Sequence, residues 1–228
     1  MTIDDAFMND IVGWDVRTWS KAVRLWQPHV AAAPPVLKVL EVGAGPGGPS
    51  LWLHRLGHDV VCSNWQHTRE QAEPLHTSYG VTGIDYIDID LNAQIPWENH
   101  FDIVVFKSVL GGLGPNFSSQ RNAMSEIHKA LKPGGLLLFA ENLRGTWLHR
   151  FGRAIAYRLR RATWRFTTVK EMQELLEPFS NYELHTTGFL GVFGMSESQR
   201  RALAGLDDRG FGRVPDSWRY VAYGIATK

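Results

Sequence analysis

The chain has 228 residues, 44% hydrophobic and 21% charged, which suits one domain with a sizeable core rather than two full domains. A formal net charge of +1 excludes a protein that wraps nucleic acid along its whole surface, and no nucleic-acid partner is expected. The single cysteine, Cys62, excludes an internal disulfide framework and a cysteine-built metal site. It suits a reducing cytosol; the acidic opening "MTIDDAFMND" does not read as a signal peptide, and no apolar run nears the ~20 residues that span a bilayer. A cytoplasmic location is therefore expected.

In chain order, a helical segment over about residues 10–30 comes first and is ended by Pro34-Pro35. From residue 37 to about 141, apolar runs alternate with amphipathic segments, which predicts βαβ units and a parallel sheet. "VLKVLEV" (36–42) reads as a buried strand and "PSLWLHRLGH" (49–58) as the helix after it. "DVVCSN" (59–64) is a second strand, and "TREQAEPLHTSYG" (68–80) a polar helix closed by Gly80. "IDYIDID" (84–90) and the strongly apolar "FDIVVFKSVL" (101–110) follow as strands three and four. The segment 118–135 opens on serines that can cap, carries Met124, Ile127 and Leu131 on one face, and stops at Pro133-Gly134-Gly135. "LLLFAEN" (136–142) is the fifth strand. A basic helical insert (147–161), a helix (168–179) and two β-like stretches, 182–189 and 218–227, complete the chain; the last two are expected to pair antiparallel at the sheet edge.

Gly43, Gly45 and Gly47 in "EVGAGPGG" (41–48) stand at a strand-to-helix turn, where backbone N–H groups and a helix N-terminus can approach a nucleotide. Gly48 also completes the spacing of dinucleotide folds. Those folds place a carboxylate about 20 residues on, and here the second strand ends in Asn64. Four segments taken together, "EVGAGPG" from Glu41, "DLNAQIPW" from Asp90, "FDIVV" from Phe101 and "LKPGGLLL" from Leu131, resemble in order the class I S-adenosylmethionine-dependent methyltransferases. The resemblance runs from about residue 36 to 142 and more loosely to the end.

That resemblance implies an α/β, Rossmann-like sheet of seven mostly parallel strands, helices on both faces and an antiparallel pair at the C-terminal edge. It implies one domain: a helical cap (1–35), a cofactor-binding core (36–142), a basic insert (143–167) and a C-terminal helix with edge strands (168–228). The cofactor implied is S-adenosyl-L-methionine, leaving as S-adenosyl-L-homocysteine. Gly43, Ala44, Gly45 and Gly47 would lie against its methionine part, with Glu41 anchoring the amino group or bracing the loop. Asn64 replaces the carboxylate that most relatives place on the ribose hydroxyls, and an amide oxygen grips them without charge assistance. Trp65 would stack on adenine, while Asp90 accepts from its amino group and the Leu91 N–H donates to the ring. Asp88 is the rival to Asp90, and the spacing to Pro96 favours Asp90. Trp14 and Trp19 are candidate lid residues.

The chemistry is expected at the end of the fourth strand, where Gly111 and Gly112 replace the histidine that some relatives carry. Lys107, an ionisable group on an apolar strand, is expected to hold an anionic substrate group or the cofactor carboxylate. Glu141 and His149 are further catalytic candidates. Asn142, Arg144, Arg150 and Arg153 are candidates for binding the acceptor. Residues 142–170 hold seven arginines and Lys170 but no acid. Leu148, Phe151, Ile155 and Leu159 share one helix face there, and arginines spread over the other. This basic face suits an anionic acceptor or peripheral contact with an anionic membrane.

The expected activity is metal-independent methyl transfer to a small or lipid- or nucleotide-carried molecule. No metal site is expected, because no His, Asp or Glu cluster has ligand spacing. The preferred acceptor is a hydroxyl oxygen, for instance of a sugar, because "FKSVLGG" and "GFLGVFG" resemble methyltransferases of bacterial glycan pathways. N-methylation of an amine, a non-catalytic cofactor-binding partner subunit and a dehydrogenase are the alternatives. The nine tryptophans, among them Trp26, Trp97 and Trp147, are expected mainly in core and rim packing, with some lining a pocket.

Overall fold

The computed structural model describes residues 3–31, 36–151, 164–210 and 214–228. Seven strands form one sheet in the order β3-β2-β1-β4-β5-β7-β6. Strands β1 (Lys38–Glu41), β2 (Asp59–Asn64), β3 (Asp85–Asp88), β4 (Phe101–Lys107) and β5 (Leu131–Asn142) are parallel. β7 (Val221–Thr227) pairs antiparallel with both β5 and β6 (Asn181–Thr187). The expected fold class and C-terminal antiparallel pair are thus both present.

Alternate residues of the central strands feed two cores, which is why these strands read as continuous apolar runs. Val39 and Val105 pack with Phe7 and Ile11 of α1 (Asp5–Val12), Trp19 and Trp26 of α2 (Val16–Ala31) and Trp52 of α3 (Gly48–Arg55). Leu40, Phe106 and Phe139 pack on the other face with Met124 and Ile127 of α5 (Phe117–Ala130). Helix α4 (Thr68–Ser78) connects β2 and β3 and ends at Gly80, φ +65°. The Val81 N–H there reaches back to the His76 carbonyl and the Gly80 N–H to Thr77, a left-handed glycine cap. α6, described over residues 147–151, follows β5. α7 (Val169–Leu176) starts with a reciprocal cap between Thr168 and Glu171.

Three elements differ from expectation. The N-terminal helix is two helices, broken at Gly13 (φ +79°), because the Asp15 and Val16 N–H groups that open α2 donate to the Glu197 carboxylate, 2.9 and 2.7 Å away. Glu197 opens α8 (Glu197–Gly210), which periodicity does not reveal, since its buried residues are only Ala204, Gly205 and Asp207. β5 starts at Leu131 rather than 136, because Pro133 pushes the residue before it out of helical geometry.

Candidate functional site

A cleft of about 360 Å³ opens at the carboxyl ends of β1, β2 and β4. The chain runs from β1 outward through β2 and β3 and then returns to β4 on the other side of β1, and such a switch point is where open α/β sheets bind ligands. Gly43, the first residue of the glycine turn, forms its floor. Gly43, Gly45 and Gly47 all have positive φ (65°, 53° and 77°), conformations that side-chain-bearing residues rarely adopt. A Cβ at Gly43 would lie 2.5 Å from Val109 Cγ2, and one at Gly47 would lie 2.6 Å from His76 Nε2. His76 is itself held between the Gly47 carbonyl and the Tyr86 hydroxyl, so a buried imidazole buttresses the loop from behind. The buried Ala44 ties the loop to β2, its N–H donating to the Ser63 carbonyl at 2.8 Å.

Glu41 is a brace. It is 1% exposed, and its Oε2 accepts the Ser50 N–H at 2.8 Å. Ser50 stands in the first turn of α3, whose N-cap Gly47 offers no side chain, so Glu41 satisfies a helix-end donor from the preceding strand. Burial pushes its carboxyl up to about 7, against the Ser50 hydrogen bonds and the nearby Lys107 charge.

Of the expected cofactor contacts, Gly43, Asn64, Trp65, Asp90 and Leu91 line the cleft together. The Asn64 Nδ2 donates to Gln71 Oε1 at 2.9 Å, which leaves its amide oxygen as the acceptor available to a ligand. Trp65 is 64% exposed, an open aromatic face beside the cleft. The two carboxylates of "DID" separate cleanly. Asp88 takes the Thr68 hydroxyl and the Thr68 and His67 N–H groups at the start of α4, and these bonds hold its carboxyl below the usual range. Asp90 is exposed in the cleft, with one oxygen on the Asn92 N–H.

Four residues on the cleft's other side were not foreseen: Ser108, Val109, Leu113 and Trp164. A Cβ at Gly111 would meet Trp164 Nε1 at 1.9 Å, and one at Gly112 would lie 3.2 Å from its ring. The paired glycines that stand where some relatives have histidine therefore make room for this indole, and they were the signal for it. Ser108 adopts φ +58°, unusual for a serine, and its Oγ accepts from Asn142 Nδ2 at 2.6 Å. Asn142 is 6% exposed and reaches the cleft through Ser108.

Several expected site residues lie elsewhere. Trp19 is fully buried and Trp14 half-buried against it, ring centres 5.7 Å apart, so neither lines the cleft as a lid. Glu141 is 1% exposed and accepts the Val109, Leu110 and Asn142 N–H groups within 2.8 Å, which makes it a scaffold for the turn after β4 rather than an open acid or base. His149 is corrected from catalytic base to structural residue. Its Nδ1 accepts the Thr146 N–H at 3.0 Å and its Nε2 lies 2.8 Å from the Phe189 carbonyl, while Phe189, Phe193 and Tyr220 surround the ring. Neither nitrogen is open to a substrate. Arg144 sits at a separate small cavity with Gly145, Thr168 and Ser217, and Arg150 points to solvent. Arg153, Ile155 and Leu159 lie outside the described residues.

Lys107 ends β4 and is not among the residues that line the cleft. Its Nζ lies 4.9 Å above the Trp19 ring and has, among the described residues, no hydrogen bond or ion pair. Burial lowers its ammonium to about 8, while the Glu41 and Glu141 charges act to raise it. Among the described residues no three His, Cys, Asp or Glu side chains group as metal ligands, and no helix is long and apolar enough to cross a membrane.

Residues 40–139 match the family described as "Methyltransferase domain". Over 142 residues, 59% of this chain, the sequence is 30% identical to the ubiquinone/menaquinone biosynthesis C-methyltransferase UbiE of Shewanella frigidimarina, of which the match covers 53%. The chain thus spans about half the length of the curated relatives it matches. Its fold is shared with an S-adenosylmethionine dependent methyltransferase from Mesorhizobium loti (TM-score 0.61, 19% identity, covering 90% of this chain and 98% of that one). It is shared too with Haemonchus contortus phosphoethanolamine N-methyltransferase 2 in complex with S-adenosyl-L-methionine (TM-score 0.64, 16% identity, covering 92% of this chain and 52% of that one).

Proposed function

We infer, from a chain whose residues 40–139 match a methyltransferase domain, that the cleft binds S-adenosylmethionine and that the protein transfers its methyl group to a small-molecule acceptor. The observation that carries this is the cleft's layout at the strand ends: a side-chain-free floor at Gly43, an amide oxygen at Asn64, an open indole at Trp65 and a carboxylate at Asp90. These acceptors and surfaces fit a nucleoside with an amino-acid tail. Once bound, that cofactor supplies an electrophilic methyl group on a sulfonium.

The chain's own residues then have to orient the acceptor and accommodate its proton. The preferred acceptor is a hydroxyl oxygen. Ser108, with one lone pair committed to Asn142, keeps its proton to donate into the cleft and can align such an acceptor. Lys107 supplies positive charge beside the loop, for a carboxylate or another anionic group of the bound pair. Two residues before it, Val105 pairs with Glu41, whose carboxylate braces the glycine loop and is one of the charges that act on this ammonium.

Isothermal calorimetry tests the first step. S-adenosylmethionine and S-adenosylhomocysteine should bind and NAD should not; NAD binding alone would make the cleft a dehydrogenase site, and no binding at all would leave a partner-subunit role. The Lys107 role has its own readout. Its protonated form is the active one, so turnover should hold below pH 8 and fall as pH rises through about 8, the value to which burial lowers the group. Lys107→Met should lower turnover about 100-fold and remove that decline. A rate that climbs through pH 8 would mean the neutral amine acts as a base instead.

A further inference from the structure

The helix that follows β5 is turned inside out. At about 100° per residue, Trp147 and Phe151 share one side of α6, Leu148 and Arg150 flank it, and His149 points the opposite way. An amphipathic helix ordinarily buries its apolar stripe. Here His149 is the buried member at 1% exposure, whereas Trp147 is 75% exposed, Phe151 63% and Leu148 43%. Leu148 and Phe151, which share a face by periodicity, are thus exposed rather than packed onto the body of the protein. The apolar neighbourhood continues onto Trp218, 47% exposed and stacked on Phe189, whose carbonyl lies against His149.

Charge is distributed to match. Eight of the 24 lysines and arginines lie between residues 142 and 170 with no acid among them, leaving 16 against 23 acids in the rest of the chain. A protein so divided is attracted to an anionic surface through this segment and repelled by it elsewhere, which orients it. Tryptophan and phenylalanine flanked by arginine is the composition that settles at a membrane's headgroup boundary.

We propose that the face bearing Trp147, Leu148, Arg150 and Phe151 docks on an anionic membrane surface and that the acceptor is carried in that membrane. The second half rests on the function inferred above. The position supports it: α6 follows β5, whose last residue, Asn142, touches Ser108 in the cleft wall, and Trp164, later in the same basic segment, lines that wall as well.

Co-sedimentation with phosphatidylcholine vesicles, with and without phosphatidylglycerol, tests it. The full chain should bind the anionic vesicles, release from them as salt is raised, and leave the neutral ones largely unbound. Trp147→Ala/Phe151→Ala should weaken partitioning about tenfold. Arg150→Glu, which changes the charge by two, should weaken it about 30-fold. Melting temperatures should stay unchanged, since all three side chains are exposed. Equal binding to both vesicles, or undiminished binding by the double aromatic variant, would overturn the proposal. So would a wild-type dimer in light scattering that the double variant makes monomeric, which would assign the face to contacts between copies. Cofactor calorimetry on the same variants separates the two readings: intact cofactor binding without vesicle binding sinks only the docking face, whereas vesicle binding without cofactor binding sinks the methyltransferase reading alone.

Discussion

Gly43→Ala should weaken S-adenosylmethionine binding at least ~100-fold, about 2.7 kcal/mol, in the same calorimetric experiment. Two costs meet at this position. A residue with a Cβ held at φ +65° loses about 1–2 kcal/mol relative to glycine. The new methyl would also lie 2.5 and 2.9 Å from the two Val109 methyls. Val109 is β-branched and stiff, and it lines the cleft, so relief comes by pushing it into the space meant for the cofactor. Gly45→Ala is the matched control. Gly45 has φ +53° but nothing within 4 Å of its would-be Cβ, so its stability cost should be the backbone term alone, about 1 kcal/mol. A Gly43→Ala protein that binds cofactor as the wild type does would remove this loop from the site.

Glu141→Ala should cost about 3–5 kcal/mol of stability and cofactor affinity with it, read by denaturant unfolding and calorimetry. The carboxylate holds three buried backbone N–H groups, from Val109, Leu110 and Asn142, and alanine leaves all three without an acceptor. The turn so released carries Val109, Gly112 and Leu113, which form one wall of the cleft. The pH dependence gives a second reading of the same group. Burial raises the Glu141 carboxyl from 4.5 to about 7, and Glu41 likewise. Between those values the folded state binds more protons than the unfolded one, so both groups make stability fall as pH rises from about 4.5 to 7. Glu141→Gln should remove its share of that slope, and an unchanged slope would show that Glu141 titrates normally in the folded protein. Lys107 acts in a higher window: its lowered value makes stability rise between about 8 and 10.5.

Local chemistry made much of this molecule legible in advance. The strands β1, β2 and β4, the Gly80 cap and the strand-to-helix glycine turn each follow from residues that are neighbours in the chain. Gly43, Asp90 and Leu91 could be named from the segments that carry the resemblance, and Asn64 and Trp65 from the end of the second strand, since strand ends of a parallel sheet converge. The preference for Asp90 over Asp88 rested on spacing; in the structure Asp90 lines the cleft, whereas Asp88 is engaged at the start of α4.

Failures came where a side chain's role depends on something far away in sequence. His149 looked like a base until Phe189, 40 residues on, took one of its nitrogens. Glu141 was a catalytic candidate, yet the turn 31 residues earlier claims its oxygens. Trp19 looked like a lid, yet α2 turns it inward under Lys107. α8 was invisible because a helix that buries alanine, glycine and a carboxylate has no apolar stripe to read. In the same way, α6 shows an apolar side by periodicity, but which way that side faces is a matter of what packs beneath it.

By itself, then, the sequence determined the strand-and-helix alternation, the glycine turn and the set of polar ends around it, since these depend on local backbone preference and on period. Only the tertiary structure decided which titratable groups are spent on backbone donors, which aromatic residues are core, and that α6 offers tryptophan and phenylalanine to the outside. Burial and hydrogen-bond satisfaction are sums over neighbours brought together by folding, and no single stretch of the chain contains them.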